Sequence, residues 1–101
     1  LGPADRQIDW CDDAIDIARR VRALAPAPAA GSRLGTLDVK VLDGRANAEA
    51  ATAPPGTVLR HGADGIVMAT GSGTFTILEL QPAGKQRMTA QAFSNGYGHL
   101  L

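Results

Sequence analysis

The sequence predicts a mainly β domain with flanking helices, arranged as a small closed barrel with one N-terminal helix and one short C-terminal helix. Three observations carry this reading. About five or six short apolar runs recur at intervals of roughly 8–12 residues, separated by Gly, Pro, Asn and Asp. A single apolar stripe with helical spacing precedes them, and a short segment opened by a capping threonine follows them. The periodicity alone leaves an open α+β sheet as a competitor. At 101 residues the chain makes one domain, just large enough to bury one core.

Residues 1–9 are polar and turn-rich, with Gly2-Pro3, and read as a linker ahead of a domain over residues 10–101. The chain opens on Leu1 rather than Met, so it is expected to be a piece of a longer protein. A helix is predicted to start near Asp12 or Asp13. Trp10, Ala14, Ile17, Val21 and Leu24 make its apolar stripe. Asp12, Asp13 and Asp16 lie in its first half and Arg19, Arg20 and Arg22 in its second, the order the helix dipole favours. Asp16 is placed to pair with Arg20 at i+4, a contribution of a few tenths of a kcal/mol. Pro26 ends the helix by disfavouring helical geometry at Ala25.

A loop of small residues, Pro26 to Ser32, leads to a predicted hairpin: Arg33-Leu34 and Leu37 to Leu42 around Gly35-Thr36. In its second arm Leu37, Val39 and Val41 alternate with Asp38 and Lys40, as in a half-buried strand. Gly44 to Ala53 reads as a surface loop. Strands follow over Thr57–Arg60, Gly65–Thr70 and Thr74–Leu80, divided by His61-to-Gly65 and Gly71-Ser72-Gly73 turns. Thr89 caps the last helix and Gly96 is placed to end it. Leu78, Leu80, Met88 and Phe93 are expected to tie the last strand to that helix.

Ten basic and ten acidic side chains balance, so no global field draws polyanions to the domain. Four aromatic residues imply a core of branched aliphatic side chains. The single cysteine, Cys11, excludes an intramolecular disulfide and fits a reducing compartment; beside Trp10 at the helix start it is expected to be a partly buried, unreactive thiol. No run approaches the length of a membrane span, and no signal-peptide pattern opens the chain.

Catalytic chemistry finds little to stand on. His61 and His99 are each flanked by glycine, with no carboxylate pair or Cys/His spacing nearby. Asp12-Asp13 is better read as helix-start charge, and Gly71-Ser72-Gly73 as a strand-to-strand turn, because no helix follows it to complete a phosphate cradle. The cations offer more. Lys85 and Arg87 lie between the last strand and the last helix, where long side chains reach a phosphate. Arg33 and Lys40 lie on adjacent arms of the hairpin and share a face. Trp10 is expected to be a packing anchor.

One stretch is more specific than the rest. Leu78 to Phe93 with Gly96 follows the order L-x-L-Q-x-x-G-K-x-x-M-x-x-x-x-F-x-x-G, which resembles the closing segment of methionyl-tRNA formyltransferases. Three upstream patches extend the resemblance in the same order. They are Ile8-Asp9-Trp10, Val21-Arg22-Ala23-Leu24 with Pro26 and Pro28, and Pro55-Gly56-Thr57-Val58. The match departs at Ala27 and Ala29, where the family often carries an aromatic and a glycine, and in the neutral charge of a barrel that tends to be basic.

The resemblance implies an OB-like barrel at the C-terminal end of a cytoplasmic enzyme, used in translation initiation. The missing N-terminal domain would bind 10-formyltetrahydrofolate and carry the catalytic residues; no cofactor is expected in this fragment. The barrel would hold the tRNA backbone through Lys85, Arg87, Arg33 and Lys40 without reading sequence. Two alternatives stay open. One is the related barrel of amino-sugar or amino-acid formyltransferases, used for packing or dimerisation; the other is a free-standing OB-like binding module. In each case purified chain mixed with 10-formyltetrahydrofolate and an amine is expected to transfer no formyl group, a result checked by following the folate absorbance. Turnover abolished by substituting His61 or His99 would contradict it.

Overall fold

The computed structural model describes residues 6–101, so the Leu1-Gly2-Pro3 part of the predicted linker lies outside the described residues. Helix α1 (Ala14–Leu24) is followed by strands β1 (Ala30–Leu34), β2 (Leu37–Asn47), β3 (Val58–Gly62), β4 (Gly65–Ala69), β5 (Thr74–Pro82) and β6 (Met88–Thr89), then helix α2 (Ala90–Tyr97) and a 3-10 turn over Gly98–Leu100. Neighbouring strands are antiparallel, in the order β1-β2-β5-β4-β3. β6 pairs with Glu79 and Leu80, taking up the edge of β5 beyond the part held by β4.

The class is the one expected: mainly β, with a helix at each end. Among the described residues the ladder does not close by hydrogen bonds, and β1 and β3 end its path. The enclosure comes from the helices. α1 packs against β1, β2 and β5, while α2 packs against β3, β4 and β5. Side chains from both helices and from β1, β2, β4 and β5 meet in one core around Ile17, Leu34, Val41, Ile66, Phe75 and Phe93.

α1 starts where Asp13 caps it, accepting from the N–H of Ile15 at 2.9 Å. A second free N–H, that of Ala14, donates to the carbonyl of Ser72 at 2.9 Å, so the Gly71-Ser72-Gly73 turn serves as part of the helix cap. A side chain at Gly71 would collide with the Cys11 carbonyl, which explains why glycine stands there. Ala14, Ile17, Ala18 and Val21 are the buried face. Trp10 lies before the helix, its indole N–H on the Ser32 hydroxyl at 3.1 Å and its ring 6.1 Å from Phe75, the packing role expected of it. Ala25 turns extended ahead of Pro26, as predicted.

Several local expectations are corrected. Asp16 pairs with Arg19 at 3.6 Å rather than with Arg20, and both side chains are so exposed that the pair contributes little. Cys11 is exposed, because its N–H turns to the Asp9 carboxylate and its carbonyl faces Gly71, which leaves the thiol outward. α2 continues past Gly96 to Tyr97, whose ring stacks on Phe93 one turn earlier at 5.0 Å, and Gly98 is its C-cap. Thr89 caps its start as expected, accepting from Ala92 at 3.1 Å.

The larger correction concerns β2 and β5. Gly44 to Asn47, read as loop, is strand. Val39 and Val41 face the core on one parity, and Ala46 faces it on the other; on β5, Phe75 and Ile77 face it on one parity and Leu80 on the other. Both strands carry a one-residue irregularity at Leu42–Asp43 and Leu78–Glu79, so the register before and after is the same. Core residues therefore stay opposite one another: Val41 with Leu80, Gly44 with Ile77, Ala46 with Phe75. This removes Leu78 from the core cluster in which it was expected, while Leu80, Phe93 and Met88 belong to it. Gly44 is glycine because the Phe75 ring occupies the place of its side chain.

At one end of this ladder the face away from the core is also buried. Thr74 and Thr76 are closed over by the Asn47 amide, which donates to their hydroxyls at 3.4 and 2.8 Å. The connection that follows is held by a two-pronged pair, Arg60 donating to both Glu49 oxygens at 2.7 and 2.9 Å. Those hydrogen bonds, with the guanidinium charge adding to them, hold the Glu49 carboxyl below its ordinary value of 4.5. A lowered carboxyl stabilises the fold above its unfolded value and loses that contribution as pH falls through the lowered one. The melting difference between wild type and Glu49→Gln is thus expected to hold from neutral pH to about pH 5 and to shrink below it. A difference that grows on acidification would contradict the pairing.

Phe93 is fully buried, so Phe93→Ala is expected to cost about 3–5 kcal/mol. In a domain of this size that lowers the melting temperature by more than about 12 °C. A shift of a degree or two by calorimetry would mean that the ring does not hold α2 to the sheet.

Candidate functional site

The opposite end of the β2–β5 ladder is open on its outer face. There β1, β2 and the end of β5 form a groove of about 570 Å³, bordered by the segment that enters the domain and by the turn after β5. Strand alternation builds its floor. Ala30, Ser32 and Leu34 point inward on β1, leaving Gly31 and Arg33 outward; on β2, Val39 and Val41 point inward, leaving Asp38 and Lys40 outward. Beyond the irregularity, Gln81 is the outward residue between buried Leu80 and Pro82. The register sets Gly31, Lys40 and Gln81 side by side across three strands.

Two contacts shape the walls. Gln7 pairs with Gly31 in a parallel bridge, Ile8 donates to the Gly31 carbonyl at 2.8 Å, and Ile8 is buried in the core. The Gln7 amide lies over Gly31, in space that a side chain there would take. On the other wall, the N–H of Ala83 donates to the Asp38 carbonyl at 2.9 Å and that of Lys85 to the Pro82 carbonyl at 3.0 Å. Gly84 takes a left-handed φ of 75°, which suits glycine at this tight turn. The turn is thereby fastened to β2, with Lys85 at the rim.

The charge of the groove differs from that of the chain. Arg6, Arg33 and Lys40 line it against the single carboxylate of Asp38. Arg33 is held loosely, 3.9 Å from the Asp38 carboxylate and 3.4 Å from the Thr36 carbonyl. Lys40 and Lys85 are exposed, and among the described residues neither has a carboxylate within 4.0 Å. Arg87 is engaged: it donates to Glu79, the outward residue of β5 two positions before Gln81.

Of the four cations singled out in the sequence, Arg33 and Lys40 therefore line one groove, Lys85 stands at its rim, and Arg87 lies on the same side of β5 but tied to a carboxylate. Sequence reasoning missed Arg6, Gln7 and Gln81. Arg6 and Gln7 carried no pattern within the predicted linker. Gln81 was visible as the polar position just before the Gly-Lys turn. His61 is elsewhere, on the edge strand β3, with its Nδ1 2.6 Å from the Ser94 hydroxyl of α2. Among the described residues no three His, Cys, Asp or Glu side chains gather to hold a metal ion, and no helix is long and apolar enough to cross a membrane.

The sequence matches the family described as formyl transferase, C-terminal domain, over residues 1–98. It is similar to the methionyl-tRNA formyltransferase of Delftia acidovorans, 44% identical over 93% of this chain and 29% of that protein. The methionyl-tRNA formyltransferase of Bordetella parapertussis is 46% identical over 96% of this chain and 32% of its own length. The chain thus spans about a third or less of these curated relatives. Among solved structures, HypX from Aquifex aeolicus in complex with tetrahydrofolic acid superposes over 93% of this chain and 17% of its own, with a TM-score of 0.80. At 21% identity that likeness speaks for the fold alone.

Proposed function

The chain belongs to the formyl transferase C-terminal domain family, and from that premise we propose that it is the tRNA-holding domain of a methionyl-tRNA formyltransferase. The observation that carries the reading is the groove: three cations against one carboxylate, with Lys85 at the rim, on a domain whose charges cancel as a whole. Phosphate is the ligand chemistry such a surface suits. Arg33 offers a planar donor fork, and Lys40 and Lys85 offer mobile point charges. Among the described residues neither a helix nor an aromatic side chain lines the groove, so the contacts position a backbone and read no base.

Chemistry belongs to another part of the protein. An N-terminal domain in the same chain would take the formyl group from 10-formyltetrahydrofolate and pass it to the amino group of methionyl-tRNA. This domain's share is proximity: a backbone held on a rigid three-stranded floor keeps the acceptor end near the reacting atoms. The groove also includes Arg6, on the segment entering the domain, so the bound backbone and the connection between domains share one wall. The neutral charge of the whole favours a second reading, in which the barrel of an amino-sugar or amino-acid formyltransferase has no polyanion to hold.

Titration of the chain with bulk tRNA at low salt separates the two. About two to four phosphate contacts predict a slope of log K against log[salt] of about −2 to −4. Lys40→Ala and Lys85→Ala are each expected to weaken binding to all tRNAs alike and to lower the slope by about one. Arg87→Ala is expected to do less, because Glu79 already holds that charge. Absence of binding at the highest soluble concentration would overturn the tRNA reading and leave the neutral barrel.

A further inference from the structure

Resting on the reading of the groove as a nucleic-acid backbone site, we infer that Gln81 makes it selective for ribose, by accepting a hydrogen bond from a sugar 2′-hydroxyl. Gln81 is half-buried on the groove floor, directly across from Lys40 in the β2–β5 register. Its amide is not free to turn. The Nε2 donates to the Lys85 carbonyl at 3.0 Å, and since a carbonyl only accepts, the nitrogen must face it. The Oε1 is left as an acceptor, and among the described residues no donor meets it.

An uncharged acceptor is a poor partner for a phosphodiester, which brings oxygens and no proton. A ribose brings a hydroxyl that donates, the one group that distinguishes RNA from DNA at a fixed backbone position. Lys40 lies across the β2–β5 ladder from Gln81, and the Lys85 backbone carbonyl holds the nitrogen end of its amide, so two lysine positions flank Gln81. A backbone whose phosphates meet those cations carries its sugars between them, over the Gln81 oxygen. Of the other side-chain acceptors in the groove, the Asp38 carboxylate is turned toward Arg33 and the Gln7 amide lies over Gly31, at the opposite wall. Gln81 is thus a specificity-determining residue, not a source of charge.

The test compares a labelled RNA hairpin with the same hairpin made 2′-fluoro throughout, which keeps the A-form helix and removes the donor. Anisotropy titrations at low salt are expected to show the chain binding RNA about three- to tenfold more tightly than its fluoro counterpart, the size of one net hydrogen bond. Gln81→Met, similar in length but without the acceptor, is expected to bring that ratio close to one. Any general weakening from loss of the Lys85 tie affects both probes equally and leaves the ratio readable. Measurable binding with a ratio of one in the wild type would overturn this inference and leave the backbone reading intact. So would a ratio that survives in the variant. Should Gln81→Met fail to fold, Gln81→Leu takes its place under the same criterion. Binding of neither hairpin would overturn the backbone reading and this inference together.

Discussion

The central constraint is the pairing of β2 with β5 and the shared irregularity halfway along it. A strand shows alternate residues to opposite faces, so a one-residue insertion in one strand would send every following core side chain to the wrong side. Here both strands make the change at the same level, at Leu42–Asp43 and Leu78–Glu79. Register is kept and the inward set continues without loss, from Val39 and Val41 to Ala46 on one strand and from Phe75 and Ile77 to Leu80 on the other. The same level is where β5 exchanges its neighbour, β4 before it and β6 after it. One pair of strands can thereby serve two neighbourhoods of the fold.

The two halves of that ladder meet solvent differently. Before the irregularity in β5, outward Thr74 and Thr76 are buried beneath the Asn47 amide, and the Arg60–Glu49 pair holds the connection that follows. Beyond it, outward Lys40, Gln81 and Arg33 line open space. The groove lies in the half of the ladder that the Asn47 amide does not cover. Its walls are supplied from a distance in sequence, by the Gln7–Gly31 bridge and by the turn that Ala83 fastens to Asp38.

Charge follows the same division. The domain as a whole is neutral, so it exerts little pull beyond a Debye length of about 10 Å at 0.1 M salt. Much of the charge is also cancelled in place. Arg60 is matched by Glu49, Arg87 by Glu79, and Arg19 by Asp16. What remains in the groove is Arg6, Lys40, the loosely paired Arg33 and, at the rim, Lys85. A composition count averages over these differences. A ligand at the groove does not, because at contact distance only the nearest charges matter.

The sequence by itself determined the class of the fold and most of its punctuation. Asp13 and Thr89 announced helix starts through their capping side chains, Pro26 a helix end, Gly35-Thr36 and Gly71-to-Gly73 the turns, and the four patches from Ile8 to Gly96 the family. These are local signals, set by backbone preference and by neighbours a few residues away. The cations Arg33, Lys40 and Lys85 were legible for the same reason, from their strand faces and the Gly-Lys turn. Only the tertiary structure decided the rest. Gly44 to Asn47 looked like a loop because its apolar partner, the Phe75 ring, lies on another strand. Leu78 looked like core because alternation was counted from Leu80 without the irregularity. Arg6 and Gln81 joined the groove because bridges and registers between distant segments placed them there. Such pairings pit long-range burial against local preference, and the side chains that settle the contest are far apart in the chain.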